Sequence, residues 1–260
     1  MGSSETKKLP LTVTVIALNE ERDLPRCLQS VGFADEVIVV DSGSTDKTVE
    51  IAQRFGARVE REPWRGYGPQ KNHAMSLARN NWVLNLDADE ALTPELQSEI
   101  EAVVLGKTVS QSSGYAIARK TYYMGRWIRF GGWYPNYVTR LARRSSAKWS
   151  EPQVHEELQV DGPIARLKNP MLHYTFSDIA DQVRTNIRYA LQGSEVLASR
   201  GVKGSVLLML FKPIGKFLES YVLKQGFRDG LAGLVIAVNA AHSMFMKYAF
   251  LLERERRSGS

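Results

Sequence analysis

The sequence is poor in cysteine and in targeting features. Cys27 is the one cysteine, which excludes an intramolecular disulfide and makes a reducing compartment the simpler expectation. The polar residues 1–10 lack the apolar core of a secretory signal, so we expect a cytoplasmic protein. Internal repeats and low-complexity tracts are also absent. The 260 residues are 43% apolar, which is enough for a full core, so one large domain with an appendage is expected.

Acidic residues are missing from the segment between Arg119 and Trp149, in which basic and aromatic residues are interleaved. Together with a net charge of +6, this composition favours an acidic partner. Such a surface suits the sugars and phosphates of an acidic glycan. It suits single-stranded nucleic acid equally well, because bases also stack on aromatic rings.

Hydrophobic patterning predicts an α/β domain. Residues 11–18 are β-branched and almost continuously apolar, as is typical of a strand buried on both faces of a mainly parallel sheet. Alternating helices and strands follow, and a more mixed group of strands comes after them. The predicted helices are 24–31, 48–55, 70–79 and 94–105, and the further predicted strands are 36–40, 57–60, 82–86, 114–119, 137–141 and 154–160.

After residue 177 the pattern changes to long apolar helices, predicted at 177–199, 205–225 and 231–252. We therefore expect a flexible tail over residues 1–10, a catalytic domain over 11–175 and a helical extension over 176–260.

The last predicted helix is long enough to cross a bilayer. However, Asn239, His242 and Lys247 would be expensive in hydrocarbon. We therefore expect the extension to lie on an anionic membrane surface, with its lysines toward the headgroups. A soluble packing face or a dimer face stays open as the alternative.

Carboxylates follow directly on two predicted strands. Asp41 comes after the strand at 36–40, and Asp87, Ala88 and Asp89 come after the strand at 82–86. An open parallel sheet has its binding crevice at the carboxyl ends of its strands. Alternate carboxylates there can face one point, and such hard ligands suit Mg²⁺ or Mn²⁺, which neutralise a diphosphate. Taken alone, the Asp41 turn is equally compatible with an ordinary turn, and the acidic motif at Asp87 is more often a solvated loop or helix start. Its position at the end of an apolar strand favours the functional interpretation.

Three segments together resemble the amino-terminal motifs of family 2 inverting glycosyltransferases with the GT-A fold. They are Val-Ile-Ala-Leu-Asn-Glu-Glu ending at Glu21, Val-Val-Asp-Ser-Gly-Ser-Thr-Asp ending at Asp46, and Leu-Asn-Leu-Asp-Ala-Asp-Glu ending at Glu90. Their order and spacing match as a set. A looser similarity, to bacterial lipopolysaccharide core glucosyltransferases, extends to the carboxyl terminus. The resemblance implies a Rossmann-like, mainly parallel sheet flanked by helices, a UDP-sugar donor and a divalent cation.

The resemblance also implies donor-binding roles. These are contacts to uridine from Asn19, Glu20 and Asp41, contacts to the base or phosphates from Lys71 and Asn72, and contacts to ribose and metal from Asp87 and Asp89. The sequence departs from the family pattern twice. Lysine stands at position 71 where arginine is frequent, and Ser42 stands where many members have a second aspartate.

An inverting transfer needs one base that takes the proton of the acceptor hydroxyl. The resemblance places this base on a carboxylate near residue 156, and we predict Glu156, with Glu157 and Asp161 as alternatives. Alternation along the predicted strand would point Glu156 and Glu157 to opposite faces, so only one of them can serve. A late histidine often supplies a third metal ligand in this fold, and we predict His173, with His155 as the alternative.

The sequence thus predicts a metal-dependent transfer of a sugar, glucose by resemblance, from a UDP-sugar to a lipopolysaccharide-core or related anionic glycolipid. The expected location is the inner face of a bacterial cell membrane. The donor motifs favour a glycan over nucleic acid as partner. A nucleotidyltransferase is a second candidate, but Asn-Glu-Glu after the first strand would repel a triphosphate. A noncatalytic nucleic-acid or membrane adaptor is the third, and it leaves the carboxylates without a role.

Overall fold

A computed structural model describes residues 8–108, 112–151 and 156–258. The strands within them are β1 (Leu9–Ala17), β2 (Ala34–Asp41), β3 (Arg58–Arg61), β4 (Trp82–Asp87), β5 (Glu90–Leu92), β6 (Gly114–Tyr123), β7 (Arg126–Trp127), β8 (Asn136–Arg143), β9 (Ala147–Trp149), β10 (Leu158–Val160), β11 (Ile164–Arg166) and β12 (Met171–His173). The helices are α1 (Leu24–Gln29), α2 (Thr48–Arg54), α3 (Tyr67–Ser76), α4 (Pro94–Val104), α5 (Ile179–Ser199), α6 (Val206–Leu218) and α7 (Gly230–Ser258).

Among the described residues, one mixed sheet has the strand order β3-β2-β1-β4-β8-β6-β12-β5, with β7 and β11 paired to β6. The strands from β3 to β4 in this order are parallel, and β8 then runs antiparallel to β4. A separate two-stranded sheet consists of β9 and β10. The mainly parallel sheet flanked by helices confirms the predicted α/β fold class.

The register of the parallel strands fixes the edge at which the predicted carboxylates lie. Ala17 of β1 is opposite Asp41 of β2, and Ile16 of β1 is opposite Asp87 of β4. Since neighbouring strands are about 4.8 Å apart, the backbones of Asp41 and Asp87 lie about 10 Å apart across β1. The sheet therefore presents both residues at the carboxyl end of its central strands.

The core of this sheet follows from its apolar strands and one well-capped helix. Leu11, Val13 and Val15 of β1 are completely buried. They share a core cluster with Leu96 and Ile100 of α4, whose four-residue spacing places them on one face of that helix. The side chain of Thr93 accepts the N–H of Leu96 at 3.2 Å, and Pro94 follows it, so α4 begins where the sequence predicts.

Several predicted boundaries differ from the structure. β1 begins at Leu9, because Leu9 is buried and its N–H donates to Phe33. Of the predicted flexible tail over residues 1–10, residues 1–7 lie outside the described residues. The predicted strand at 154–160 is observed only as β10, while residues 152–155 lie outside the described part. The predicted helix at 205–225 ends at Leu218 and continues as a π-helical turn, Glu219–Leu223.

The chain divides into two compact units. The first comprises residues up to Arg119 and from Asn136 to Tyr174, and it contains all the predicted site residues that the structure describes. The second comprises residues 120–135 and the chain from Thr175 onward. Its core brings Tyr123 and Ile128 against Ala232 and Ile236 of α7.

Candidate active site

The loops after β1 and β2 are joined by hydrogen bonds. The side-chain oxygen of Asn19 accepts the N–H of Thr45 at 2.8 Å, and Asn19 itself has a left-handed φ of 58°. The buried carboxylate of Asp41 accepts the N–H groups of Gly43 and Ser44. Gly43 has a φ of 101°, which only glycine adopts at little cost, so the loop can turn back onto Asp41. Asn19 and Asp41 thus belong to one hydrogen-bonded pair of loops at the carboxyl ends of β1 and β2, which we call the polar rim of the site.

Glu20 lies on the same rim in a negative environment. Its N–H donates to the hydroxyl of Thr48 at 2.8 Å. Burial, followed by the negative charges of Asp89 and other carboxylates, raises the pKa of the Glu20 carboxyl from 4.5 to about 7. The negative charge of Asp89 therefore acts on Glu20 and disfavours a second negative charge there.

The pKa of Glu20 predicts a pH dependence of folding stability. Because its folded-state pKa lies above 4.5, protonated Glu20 contributes stability below about pH 4.5 that is lost as the pH rises through about 7. We therefore compare the free energy of unfolding of Glu20→Gln with that of the wild type at pH 5 and at pH 8. We expect the difference, variant minus wild type, to be more positive at pH 8. Urea unfolding at both pH values measures this difference, and equal differences at the two pH values would contradict the prediction.

Asp87 is held between two cationic side chains. The ammonium of Lys71 lies 2.9 Å from one carboxylate oxygen of Asp87, and Arg140 donates a hydrogen bond to the other. Burial alone would raise the pKa of Asp87, but Arg140 and Lys71 outweigh it and hold that pKa well below its usual range. Asp87 is therefore an ionised hydrogen-bond acceptor at any pH near neutrality.

Arg140 and Glu90 help to build the site. The sequence places Glu90 in the third motif and Arg140 in the basic, aromatic segment that is expected to form a surface, but Arg140 is buried. Glu90 is completely buried, accepts a hydrogen bond from Arg140 at 2.7 Å and accepts the N–H of Asp87 at 3.0 Å. The Arg140 side chain is 4% exposed, so its charge depends on these two carboxylates. An arginine inside the apolar strand β8 was the available signal, since a buried charge needs a partner.

Removing the guanidinium of Arg140 is expected to destabilise the protein strongly. Arg140→Met leaves the completely buried carboxylate of Glu90 with Arg119, 3.9 Å away, as its remaining cationic contact among the described residues. It leaves Asp87 with Lys71, so the expected loss in free energy of unfolding is about 3 kcal/mol.

Arg58, which is about half exposed and 3.8 Å from Glu60, provides the matched control. Arg58→Met is expected to cost no more than about 1 kcal/mol. Similar losses in the two variants, measured by urea unfolding, would show that the ion pairs of Arg140 do not stabilise the fold more than an exposed ion pair does.

Lys71 also contacts the predicted base. Its ammonium lies 3.0 Å from the Glu156 carboxylate and 4.4 Å from the ring centroid of Trp149. The carboxylate of Glu156 therefore belongs to the same cluster as Asp87. Glu157 is exposed and uses its backbone to pair with Ser150. Asp161, the other alternative, is also exposed.

The side chain of Asn72 joins α3 to β9. Its amide donates to the carbonyl of Trp149 at 2.9 Å and accepts the N–H of the same residue at 2.8 Å. Gly68 permits this approach, since a Cβ there would lie 2.2 Å from the Ser150 carbonyl oxygen. Contact of Asn72 with a nucleotide stays a prediction, and in this structure both ends of its amide are engaged by Trp149.

The Asp89 carboxylate and the His173 imidazole suit a divalent cation. Nε2 of His173 lies 3.3 Å from Oδ2 of Asp89, and the N–H of Tyr174 donates to the Asp89 carbonyl. Among residues 8–108, 112–151 and 156–258, no group of three His, Cys, Asp or Glu side chains could hold a metal. The pair therefore fits a cation that shares its coordination with substrate phosphates, as Mg²⁺ usually does. His155 lies outside the described residues.

Comparison with known proteins identifies the family. Residues 12–155 match the family described as Glycosyl transferase family 2. An uncharacterized glycosyltransferase of Rickettsia conorii is 32% identical, over 99% of this chain and 94% of its own length. The lipopolysaccharide core biosynthesis glycosyltransferase LpsC of Rhizobium meliloti is 29% identical, over 95% and 93%.

Solved structures with similarity include S. aureus TarS 1–349 in complex with UDP-GlcNAc, at 17% identity and a TM-score of 0.48 over 96% of this chain and 92% of that one. They also include glucosyl-3-phosphoglycerate synthase from Mycobacterium tuberculosis with Mn²⁺ and UDP-glucose, at 27% identity and a TM-score of 0.33 over 44% of each chain. With the family match spanning more than half of its length, the chain belongs to glycosyltransferase family 2 and is a glycosyltransferase.

Proposed function

We propose that this glycosyltransferase moves a sugar, with glucose the first candidate, from a UDP-sugar to an anionic glycolipid of the lipopolysaccharide-core type, with inversion. The enzyme would act at the cytoplasmic face of the membrane. Residues 11–175 would form the catalytic domain and residues 176–260 the helical extension, with the segment 120–135 packed in the same compact unit as the extension. The similarity to LpsC over nearly the whole chain supports a glycolipid acceptor. Because the chain belongs to this family, a glycosyltransferase activity is favoured over the two alternative functions, a nucleotidyltransferase and a noncatalytic adaptor.

The observation that carries the proposal is the register that sets Asp41 and Asp87 at one edge of the sheet. Ionised carboxylates accept hydrogen bonds, so they suit the N–H of uracil and the hydroxyls of ribose. Asn19, Glu20 and Asp41 would contact the uridine, and Asp87 the ribose. Lys71, which is already next to Asp87, is close enough to contribute positive charge to the phosphates.

Glu156 is the proposed base. Its carboxylate would take the proton of the acceptor hydroxyl as that oxygen attacks the anomeric carbon from the face opposite the nucleotide. Lys71 holds this carboxylate at 3.0 Å and so fixes its position relative to Asp87. Glu157 is exposed and lacks such a contact among those described, which favours Glu156 as the group that faces the substrates.

Asp89 and His173 are the proposed protein ligands of Mg²⁺ or Mn²⁺. Asp87, the third ligand that the sequence predicts, does not complete a group of three with them, since no such group is found among the described residues. When bound, the cation neutralises negative charge on the departing diphosphate. The carboxylate of Asp87 is engaged by Lys71 and Arg140, so Asp89 is the stronger candidate of the two. The negative charges of Asp89 and Asp87 also act on Glu20, and a bound cation would offset them.

A screen of nucleotide sugars tests the proposed function. The full chain is incubated with each nucleotide sugar, with Mg²⁺ or Mn²⁺, and with lipopolysaccharide-core oligosaccharide, and nucleotide release is measured. We expect UDP-sugars to be consumed and the new linkage to have inverted configuration at the anomeric carbon. Consumption of nucleoside triphosphates with release of pyrophosphate in a parallel incubation, or no turnover of any UDP-sugar, would contradict the proposal.

A further inference from the structure

Helix α6 is strongly apolar, yet it has no buried residue along its described length. Leu207, Leu210, Phe211, Ile214 and Leu218 follow the spacing of one helix face. Their side chains are between 48% and 66% exposed. Single exposed apolar side chains are normal, but a whole helix face of leucine, isoleucine and phenylalanine is not.

Exposed apolar residues are also found beyond α6. Leu223, at the end of the π-helical turn, is 76% exposed, and Leu231, at the start of α7, is 67% exposed. We define the α6 face as the apolar face of α6 that is formed by Leu207, Leu210, Phe211, Ile214 and Leu218. An exposed apolar helix face of this kind marks a binding surface.

The other side of the second unit is already occupied by its own helices. α7 packs on α5, where Asn239 donates to the side chain of Gln182 at 2.5 Å and Ser243 donates to the carbonyl of Asn186 at 3.3 Å. Of the described helices, one stretch, Gly226–Arg257, is long and apolar enough to cross a bilayer. Its polar contacts with the charged helix α5 oppose crossing, because α5 would have to enter the hydrocarbon as well.

The charge around the α6 face selects the partner. Residues 200–230 contain six basic and two acidic residues. Lys216 and Lys224 are paired with Glu219, and these two bonds lower the pKa of Glu219 to about 2. Lys203 and Lys212 are exposed on the same stretch. A second copy of this chain would bring like charges together, whereas anionic phosphates complement them.

We propose that the α6 face seats the enzyme on an anionic lipid bilayer. α6 lies in the plane of the interface, with Leu207, Phe211 and Leu218 in the boundary between headgroups and acyl chains. Lys203 and Lys212 contact lipid phosphates. The inference deepens the proposed function and rests on it for its biological meaning, because a glycolipid acceptor is presented at such a surface. It also assigns the membrane contact to α6 and not to a spanning α7.

Vesicle binding of the full chain tests this inference without using sugar transfer. The variant Leu207→Glu with Phe211→Glu places two charges on the α6 face. Phe55 and Leu105 are a matched pair in the first unit, 47% and 44% exposed, so Phe55→Glu with Leu105→Glu is the control. Sedimentation is measured with phosphatidylcholine vesicles that contain phosphatidylglycerol and with pure phosphatidylcholine vesicles. Circular dichroism checks that each variant is folded.

We expect the wild type and the control to bind the phosphatidylglycerol vesicles, and the α6 variant to bind at least about tenfold more weakly. We also expect Lys203→Gln with Lys212→Gln to reduce the preference for phosphatidylglycerol. Equal binding by the α6 variant and the wild type would overturn the inference. The inference would also be overturned if analytical ultracentrifugation showed that the wild type is a dimer and that the α6 variant is a monomer with unchanged vesicle binding. Calorimetry with UDP separates these results from failure of the proposed function, since the proposed donor-binding residues belong to the first unit and α6 belongs to the second.

Discussion

Replacing Asp89 with alanine is expected to leave the protein folded and to lower sugar transfer by about a thousandfold or more. Asp89 is the carboxylate beside His173, and its charge contributes to the raised pKa of Glu20. Its loss removes a cation ligand that the departing diphosphate needs. It also removes a like charge near Glu20, so folding should not suffer. Steady-state release of UDP and thermal unfolding by circular dichroism measure the two effects.

Asp35 provides the matched control for this variant. It is an exposed aspartate near the opposite end of β2 from Asp41, where it contacts Arg79. Asp35→Ala is expected to keep nearly full activity. Full activity in Asp89→Ala would refute the assignment of the cation site, and equal losses in both variants would point to a general effect of charge.

Replacing Glu156 with glutamine is expected to leave donor binding intact while lowering turnover by about 100-fold to 10,000-fold. The amide keeps the size of the carboxylate and can still accept a hydrogen bond from Lys71, but it cannot take a proton. The Kd for UDP should therefore change little, while kcat falls. Calorimetry gives the first quantity, and initial rates at saturating donor and acceptor give the second.

The neighbouring residue makes the control for this prediction. Glu157 has the same side chain but is exposed, so Glu157→Gln should turn over at close to the normal rate. Near-normal turnover in Glu156→Gln together with slow turnover in Glu157→Gln would show that Glu157, and not Glu156, is the base. Slow turnover in Asp161→Asn alone would move the base to Asp161.

The sequence predicts much of the first unit because its central strands are continuous apolar runs. Such runs bury on both faces of a parallel sheet, and parallel strands end at a common edge. The positions of Asp41 and Asp87 at that edge follow from the strand ends alone, and the register confirms them. The family and the enzyme class are likewise confirmed, because three motifs in order are far more specific than any one of them.

The contacts within the site could not be predicted in the same way. Lys71 and Glu156 are 85 residues apart, and Arg140 lies 50 residues from Glu90, so their pairing depends on tertiary packing. The engagement of Asn72 by Trp149 has the same origin, since it requires β9 to approach α3. Glu156 and Glu157, which belong to the strand predicted at 154–160, lie outside the observed strand for a related reason. The structure begins β10 at Leu158, and Glu156 precedes the strand to face Lys71.

Isothermal titration calorimetry of UDP binding, with and without Mn²⁺, tests most directly whether a cation held by Asp89 joins a nucleotide diphosphate to the strand ends. For the wild-type chain we expect Mn²⁺ to lower the Kd for UDP at least about tenfold, which corresponds to about 1.4 kcal/mol. For Asp89→Ala we expect Mn²⁺ to make little difference. Equal affinity with and without Mn²⁺ in the wild type, or no binding of UDP under either condition, would contradict this site.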